Sequence, residues 1–257
     1  MSVYNIVFSP TGGTKKVADA FTGSFCSESI DIDLINRRSD FSSFSFQVED
    51  ICIVSVPSYG GRVPETAVSR LHQMKGNGAK AILIVVYGNR AYDDTFVELQ
   101  DVLTGAGFVC IAAVAAIAEH SIMRQFATGR PDAQDEKELA VFAQQIRAKI
   151  ESGTFTDTLA LPGNRPYRQY DGVPMKPQAG KSCTNCGLCT RECPVGAIDA
   201  DDPSKMDTKK CISCMRCICV CPENARQVNK VLLKAASLKM KKVCSEYKRN
   251  TLFLDEL

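Results

Sequence analysis

Thirteen cysteines occur in the 257 residues, and eight of them form two copies of one spacing. Cys183, Cys186, Cys189 and Cys193 are followed by Pro194; Cys211, Cys214, Cys217 and Cys221 are followed by Pro222. Each run reads C-x2-C-x2-C-x3-C-P, a spacing that serves cubane iron–sulfur clusters. Three thiolates on a tight loop wrap three corners of a cube, and the fourth, after a longer gap, reaches the other cluster. The spacing therefore predicts one [4Fe-4S] cluster on Cys183, Cys186, Cys189 and Cys221. It predicts a second on Cys193, Cys211, Cys214 and Cys217. Zinc uses one or two C-x2-C pairs at separate knuckles, and a disulfide scaffold needs a secretory context; neither asks for this doubled pattern.

The chemistry expected is single-electron transfer. Residues ~180–228 resemble the bacterial two-cluster ferredoxins, with CPVGAID and CPENARQ as matching halves of the repeat. Cys219 and Cys244 stand outside the ligand pattern, while Cys52 and Cys110 read as small core residues.

A second candidate site lies near the start. Ser9-Pro10-Thr11-Gly12-Gly13-Thr14 follows an apolar run and opens a helical one. It is neither G-x-G-x-x-G nor G-x4-G-K-[ST], so the dinucleotide and nucleoside-triphosphate loops are excluded. Hydroxyls, glycines and a helix N-terminus suit a monophosphate. A Ser/Thr-capped helix start would look the same. The loop resembles the flavodoxin [ST]-x-T-G-x-T phosphate loop, matched at Ser9, Thr11, Gly12 and Thr14, and that resemblance implies FMN. Two further loops could approach the flavin ring, with Ser58, Tyr59, Gly60 and Gly61 in one and Gly88, Asn89 and Tyr92 in the other. Tyrosine would do the stacking, since the chain has no tryptophan. His120 is a candidate proton donor, or a hydrogen-bonded histidine at a strand end.

The elements that must position these loops are legible as alternation. Apolar runs at 3–8, 30–35, 51–56, 81–87 and 108–116 predict five strands, most of them covered on both faces. Helices are expected at ~13–24, 65–74, 92–105 and 134–152. The fold expected is a flavodoxin-like doubly wound α/β domain with a five-stranded parallel sheet over 1–152. A Pro-rich ordered linker over 153–178 leads to a small α+β ferredoxin domain over 179–228. A basic helix and tail fill 229–257, its apolar stripe drawn through Leu232, Ala236, Met240, Val243 and Tyr247. That stripe is expected to pack on the body rather than on a membrane.

Composition sets limits. The formal charge is +2 with 45% hydrophobic residues. Loading two clusters brings it to about −2, so nothing points to nucleic acid. The start lacks a secretory pattern and no run approaches a transmembrane span. A cytoplasmic protein of an anaerobe is expected. The architecture resembles the flavodoxin–ferredoxin fusion proteins. This implies an electron-transfer protein or flavin-linked oxidoreductase that couples one-electron carriers to a two-electron partner. Two other readings fit the same residues: an FMN-dependent reductase of a small organic substrate wired by the clusters, and a flavin-free docking module with a ferredoxin domain. The partners expected are redox proteins or a small redox substrate.

Overall fold

The structure is a computed structural model, and it describes residues 1–153 and 159–254. Part of the expected linker (154–158) and the last three residues of the tail lie outside the described residues.

Five parallel strands form the main sheet: β1 (Val3–Val7), β2 (Ile30–Asp33), β3 (Ile51–Pro57), β4 (Lys80–Tyr87) and β5 (Val109–Ile117). Their order is β2-β1-β3-β4-β5, the doubly wound arrangement with its reversal between β1 and β3. β3, β4 and β5 are almost wholly buried, which is why they read as continuous apolar runs.

The strands' two faces feed two separate layers. Ile53, Ile82, Ile84 and Ile111 pack with Val17, Phe21, Leu139 and Ile146. That layer rests on α1 (Gly13–Phe25) and α4 (Ala133–Ser152). Phe8, Val54, Leu83 and Val85 face the opposite way, onto Leu71, Phe96 and Leu99. Those side chains belong to α2 (Glu65–Leu71) and α3 (Thr95–Gly105). α4 begins with a capping box in which the Asp132 carboxylate accepts from the Gln134 and Asp135 amides.

The chain then runs back along α3. Asp94 accepts from the backbone N–H groups of Asn164 and Arg168, both at 2.8 Å. Arg165 pairs with Asp101 at 2.6 Å, and Arg62 lies over the Tyr167 ring at 5.0 Å. The described linker is thus fixed to the first domain.

The cysteine-rich segment carries β6 (Gln178–Ala179), α5 (Leu188–Arg191), α6 (Arg216–Cys219) and β7 (Arg226–Gln227), with β6 and β7 paired antiparallel. α7 (Lys230–Cys244) follows, then β8 (Thr251–Phe253). β8 adds antiparallel to the β5 edge, so the sheet has six strands where the sequence predicts five.

The tail helix rolls slightly from its expected face. Leu233, Ala236, Met240 and Cys244 pack on Met123 and Phe126. Leu232, Val243 and Tyr247 of the expected stripe stay largely exposed. No helix among the described residues is long and apolar enough to cross a membrane.

Candidate functional site: two cysteine cradles and a cationic cleft

The sequence repeat is also a conformational repeat. Asn185 and Ser213, each one residue before the second cysteine of its run, have φ of 56° and 55°. Gly187 and Met215 precede the short helices at 71° and 62°, and Gly196 and Asn224 follow the prolines at 61° and 48°. Left-handed residues alternating with right-handed ones turn successive N–H groups inward, the geometry of an anion-binding nest. The fourth cysteines match as well: Cys193 Sγ accepts from Ala197 N at 3.3 Å, and Cys221 Sγ from Ala225 N at 3.2 Å.

The two runs interleave. A narrow cavity is lined by Cys183, Cys186 and Cys189 together with Cys221, Pro203 and Arg226. Cys193 lies instead with the other run, acting electrostatically on Cys214 and Cys217 along with Cys211. No three described His, Cys, Asp or Glu side chains converge on a single ion. A cubane needs its thiolates spread over four corners, so this spacing suits clusters and not a lone metal. Burial pushes the Cys214 and Cys217 thiols up to about 12, where only strong positive compensation yields a thiolate. The donor set, eight soft thiol ligands interleaved in two fours, fits cluster iron.

The first-domain loop has the backbone for an anion. Gly12 takes φ 88° and leads directly into α1, which has no side-chain cap. The Ser9 hydroxyl accepts from Lys15 N at 2.8 Å, and Lys16 N donates to Gly12 O at 3.0 Å. Among the described residues, the Thr11, Gly13 and Thr14 amides meet no protein acceptor. A phosphate supplies the acceptors that such a helix start lacks.

The expected ring slot is largely filled by the chain itself. Thr11, Gly13, Thr14, Ser58, Tyr59, Gly88 and His120 surround a cavity of only about 70 Å³. Ser58 is bonded to Thr95 at 2.8 Å. A Cβ at Gly88 would meet the His120 ring at 2.8 Å, and one at Gly61 would meet Asp93. Tyr92 packs edge-on between Tyr87 and Phe96. Asn89 caps the tail helix instead, its Nδ2 donating to Cys244 O at 2.7 Å and Glu246 O at 2.8 Å.

His120 Nδ1 accepts from the amides of Ile122 and Met123 at 3.1 and 3.2 Å. Burial, with help from Arg90, pushes its pKa down to about 4. At neutral pH it is an uncharged acceptor that shapes the 120s loop.

Beside this slot opens a cavity of about 460 Å³ between the two domains. Thr11 and Gly13 line both spaces. The larger one adds Lys16, Arg226 and Lys230, together with Arg124 paired to Glu119 and Arg130 paired to Asp135. Met215, Ile218 and Cys219 form its far wall. Its size is that of a cofactor site, and its charge asks for an anion. The residues present therefore fit an anionic cofactor of the size of FMN.

The domains are pinned by arginines. Arg70 donates to Leu34 O and to Pro194 O, the latter at 2.6 Å, and Arg37 donates to Thr190 O at 3.4 Å. Arg216 reaches Pro10 O at 3.4 Å. Tyr59, whose hydroxyl is enclosed and its pKa raised by burial, lies within electrostatic reach of Cys214, Tyr170 and Cys219. These contacts are invisible in the sequence because each joins residues far apart to backbone carbonyls, which carry no side-chain signal.

Comparison with known proteins agrees with the cysteine geometry. Residues 177–222 match the family described as the 4Fe-4S dicluster domain. The chain joins a flavodoxin-like fold to a 4Fe-4S dicluster domain. It carries two [4Fe-4S] clusters.

A curated relative, one of the components of the ion-translocating oxidoreductase complex of Methanosarcina acetivorans, is 35% identical over 60 residues. That match covers 23% of this chain and 23% of the relative, so the chain spans about a quarter of that protein's length.

Solved structures similar to the first domain include a flavodoxin of Streptococcus pneumoniae. It is 21% identical over 58% of this chain and 99% of its own, with a TM-score of 0.40. Another is the rubredoxin:oxygen oxidoreductase of the anaerobe Desulfovibrio gigas. It is 17% identical over 59% of this chain and 36% of its own, with a TM-score of 0.42.

Proposed function

We propose that this protein passes electrons between redox partners through its two clusters and an FMN held at the cleft between the domains. The observation that carries the reading is the shared lining of that cleft. Phosphate-loop residues Thr11 and Gly13 form one wall, and Met215, Ile218 and Cys219 of the second cysteine run form the other. A flavin there would lie against a cluster loop without any domain motion. When bound, FMN takes or gives electrons singly or in pairs, which couples one-electron carriers to a two-electron partner.

The protein's own residues supply the rest. The Thr11, Gly13 and Thr14 amides would hold the phosphate, and Lys16 would add to the field there. We assign Cys183, Cys186, Cys189 and Cys221 to the first cluster and Cys193, Cys211, Cys214 and Cys217 to the second. Cys186 is exposed and Cys183 half-exposed, whereas Cys193, Cys214 and Cys217 are buried. The first cluster is thus the entry for an outside protein carrier, and the second faces the cleft. The linker's fixed path keeps this order of sites constant.

The test is an anaerobic preparation with iron, sulfide and flavin counted per chain. About eight irons and one FMN are expected. Gly12→Asp should lower the flavin content tenfold or more, by placing a carboxylate at the phosphate and an unsuited side chain at φ 88°. A fully iron-loaded protein that takes up no added FMN would overturn the flavin reading while leaving the clusters in place.

A further inference from the structure

Arg226 is the most deeply buried guanidinium in the protein, at 2% exposure, and it sits where three sites meet. It lines the narrow cavity formed by Cys183, Cys186, Cys189 and Cys221. It also lines the interdomain cleft, and its charge acts on Cys217 of the second run.

Its hydrogen bonds are unusual for a buried charge. Both oxygen partners are backbone carbonyls, Pro177 O at 3.4 Å and Pro203 O, and Nε has no partner at all. No described carboxylate pairs with it. Arg216, within the second run, also has a partnerless Nε but is neutralised by Glu192 at 2.5 Å. A buried, unpaired guanidinium is destabilising unless an anion compensates it, and arginine cannot shed its proton to escape. A cubane with four thiolates carries about −2 when oxidised, so the clusters are the missing anions.

We propose that Arg226 is a fixed counter-charge for the clusters that raises the potentials at which they accept electrons, with its Nε–H the donor left for cluster or thiolate sulfur. In that step a cluster takes one electron from the reductant and no proton. The reduced form therefore carries one more negative charge and is the form a fixed cation favours. Cluster potentials respond to nearby charge and to hydrogen bonds on sulfur. The residue acts through electrostatics and is a positioning and tuning residue, not a catalytic one. The inference rests on the clusters and not on FMN, so it stands or falls apart from the flavin reading.

The experiment is an EPR-monitored redox titration, with dithionite as reductant, of iron-loaded wild type, Arg226→Met and Arg226→Lys. Arg226→Met should make reduction of the first cluster at least tenfold less favourable, a fall of about 59 mV per tenfold for one electron. Arg226→Lys should recover more than half of that fall. A loaded Arg226→Met protein with both midpoints within threefold of wild type would overturn the proposal.

If Arg226→Met does not load, pulsed EPR of reduced wild type labelled with 15N-arginine decides. A nitrogen coupling to the cluster spin that persists when Arg191→Lys and Arg216→Lys are combined supports the proposal. Its absence from wild type, or its loss in that double variant, overturns it.

Discussion

The ring of Tyr170 lies where a side chain at Gly60 would stand, since a Cβ on Gly60 would overlap Tyr170 Cδ2. This contact joins the linker to the β3–α2 loop, one residue from Tyr59 at the domain contact. Gly60 also has φ 61°, so alanine there meets both backbone strain and the ring. Gly60→Ala should destabilise the loaded protein by about 2 kcal/mol, lowering its melting temperature by roughly 4–8 °C. In Tyr170→Ala, the same glycine substitution should cost about half as much, because only the strain remains. Additive losses in the two backgrounds would show that the ring does not occupy this space.

Crossed ligation gives a sharp prediction for paired cysteine variants. Cys183 and Cys221 line one cavity, so Cys183→Ser with Cys221→Ser should strike one cluster and leave about four irons. Cys183→Ser with Cys193→Ser should strike both and leave almost none. If each run held its own cluster, the two outcomes would exchange. Cys219→Ser should keep about eight irons, because that thiol faces the interdomain cleft. Iron and sulfide analysis after anaerobic reconstitution reads all three.

The main sheet and the cluster loops are legible in the sequence for physical reasons. Parallel strands buried on both faces leave unbroken apolar runs such as Ile82–Val86, and cubane ligands must recur at fixed spacing. β8 leaves no such trace. It is three residues long, follows the polar stretch Lys248-Arg249-Asn250, and is held by contacts that Asn250 and Arg130 make elsewhere in the chain. The tail helix differs from its expected face by one position because Cys244, not Val243, ends its buried side. The loops around Gly60 and Asn89 share a different lesson. Glycine and asparagine there read equally well as ligand contacts or as room for another part of the chain. Tyr170 and the C-terminal turn of α7 take those places.

The same tail explains why Asp135 matters. Its carboxylate pairs with Arg130, with side-chain exposures of 1% and 7%, and accepts from Asn250 Nδ2 at 2.9 Å. Asn250 Oδ1 in turn accepts from Ile117 N at 3.0 Å, and Arg130 donates to Lys248 O at 2.8 Å. Asp135→Asn would leave the Arg130 guanidinium buried without its counter-charge, a loss of about 3–5 kcal/mol. Hydrogen exchange should show the damage first in β8 and at residues 248–250. Protection there equal to wild type would mean that the tail is held by other contacts.

His120 predicts how the protein responds to mild acid. Its folded pKa, pushed down to about 4 by burial and then by Arg90, lies below the value near 6.5 of an exposed imidazole. The unfolded chain therefore binds a proton that the folded one refuses. The stability this contributes is whole above pH 6.5 and is lost progressively as pH falls toward 4. Between pH 7.5 and 5.5 the expected loss from this one group is on the order of 1 kcal/mol. His120→Asn can keep an acceptor for the Ile122 and Met123 amides without titrating. Its melting temperature should therefore fall less than the wild type's over that interval, by roughly 2–4 °C. Parallel decline of the two proteins across pH 7.5 to 5.5 would mean that the imidazole is open to solvent, and that the 120s loop does not seal the slot beside Gly88.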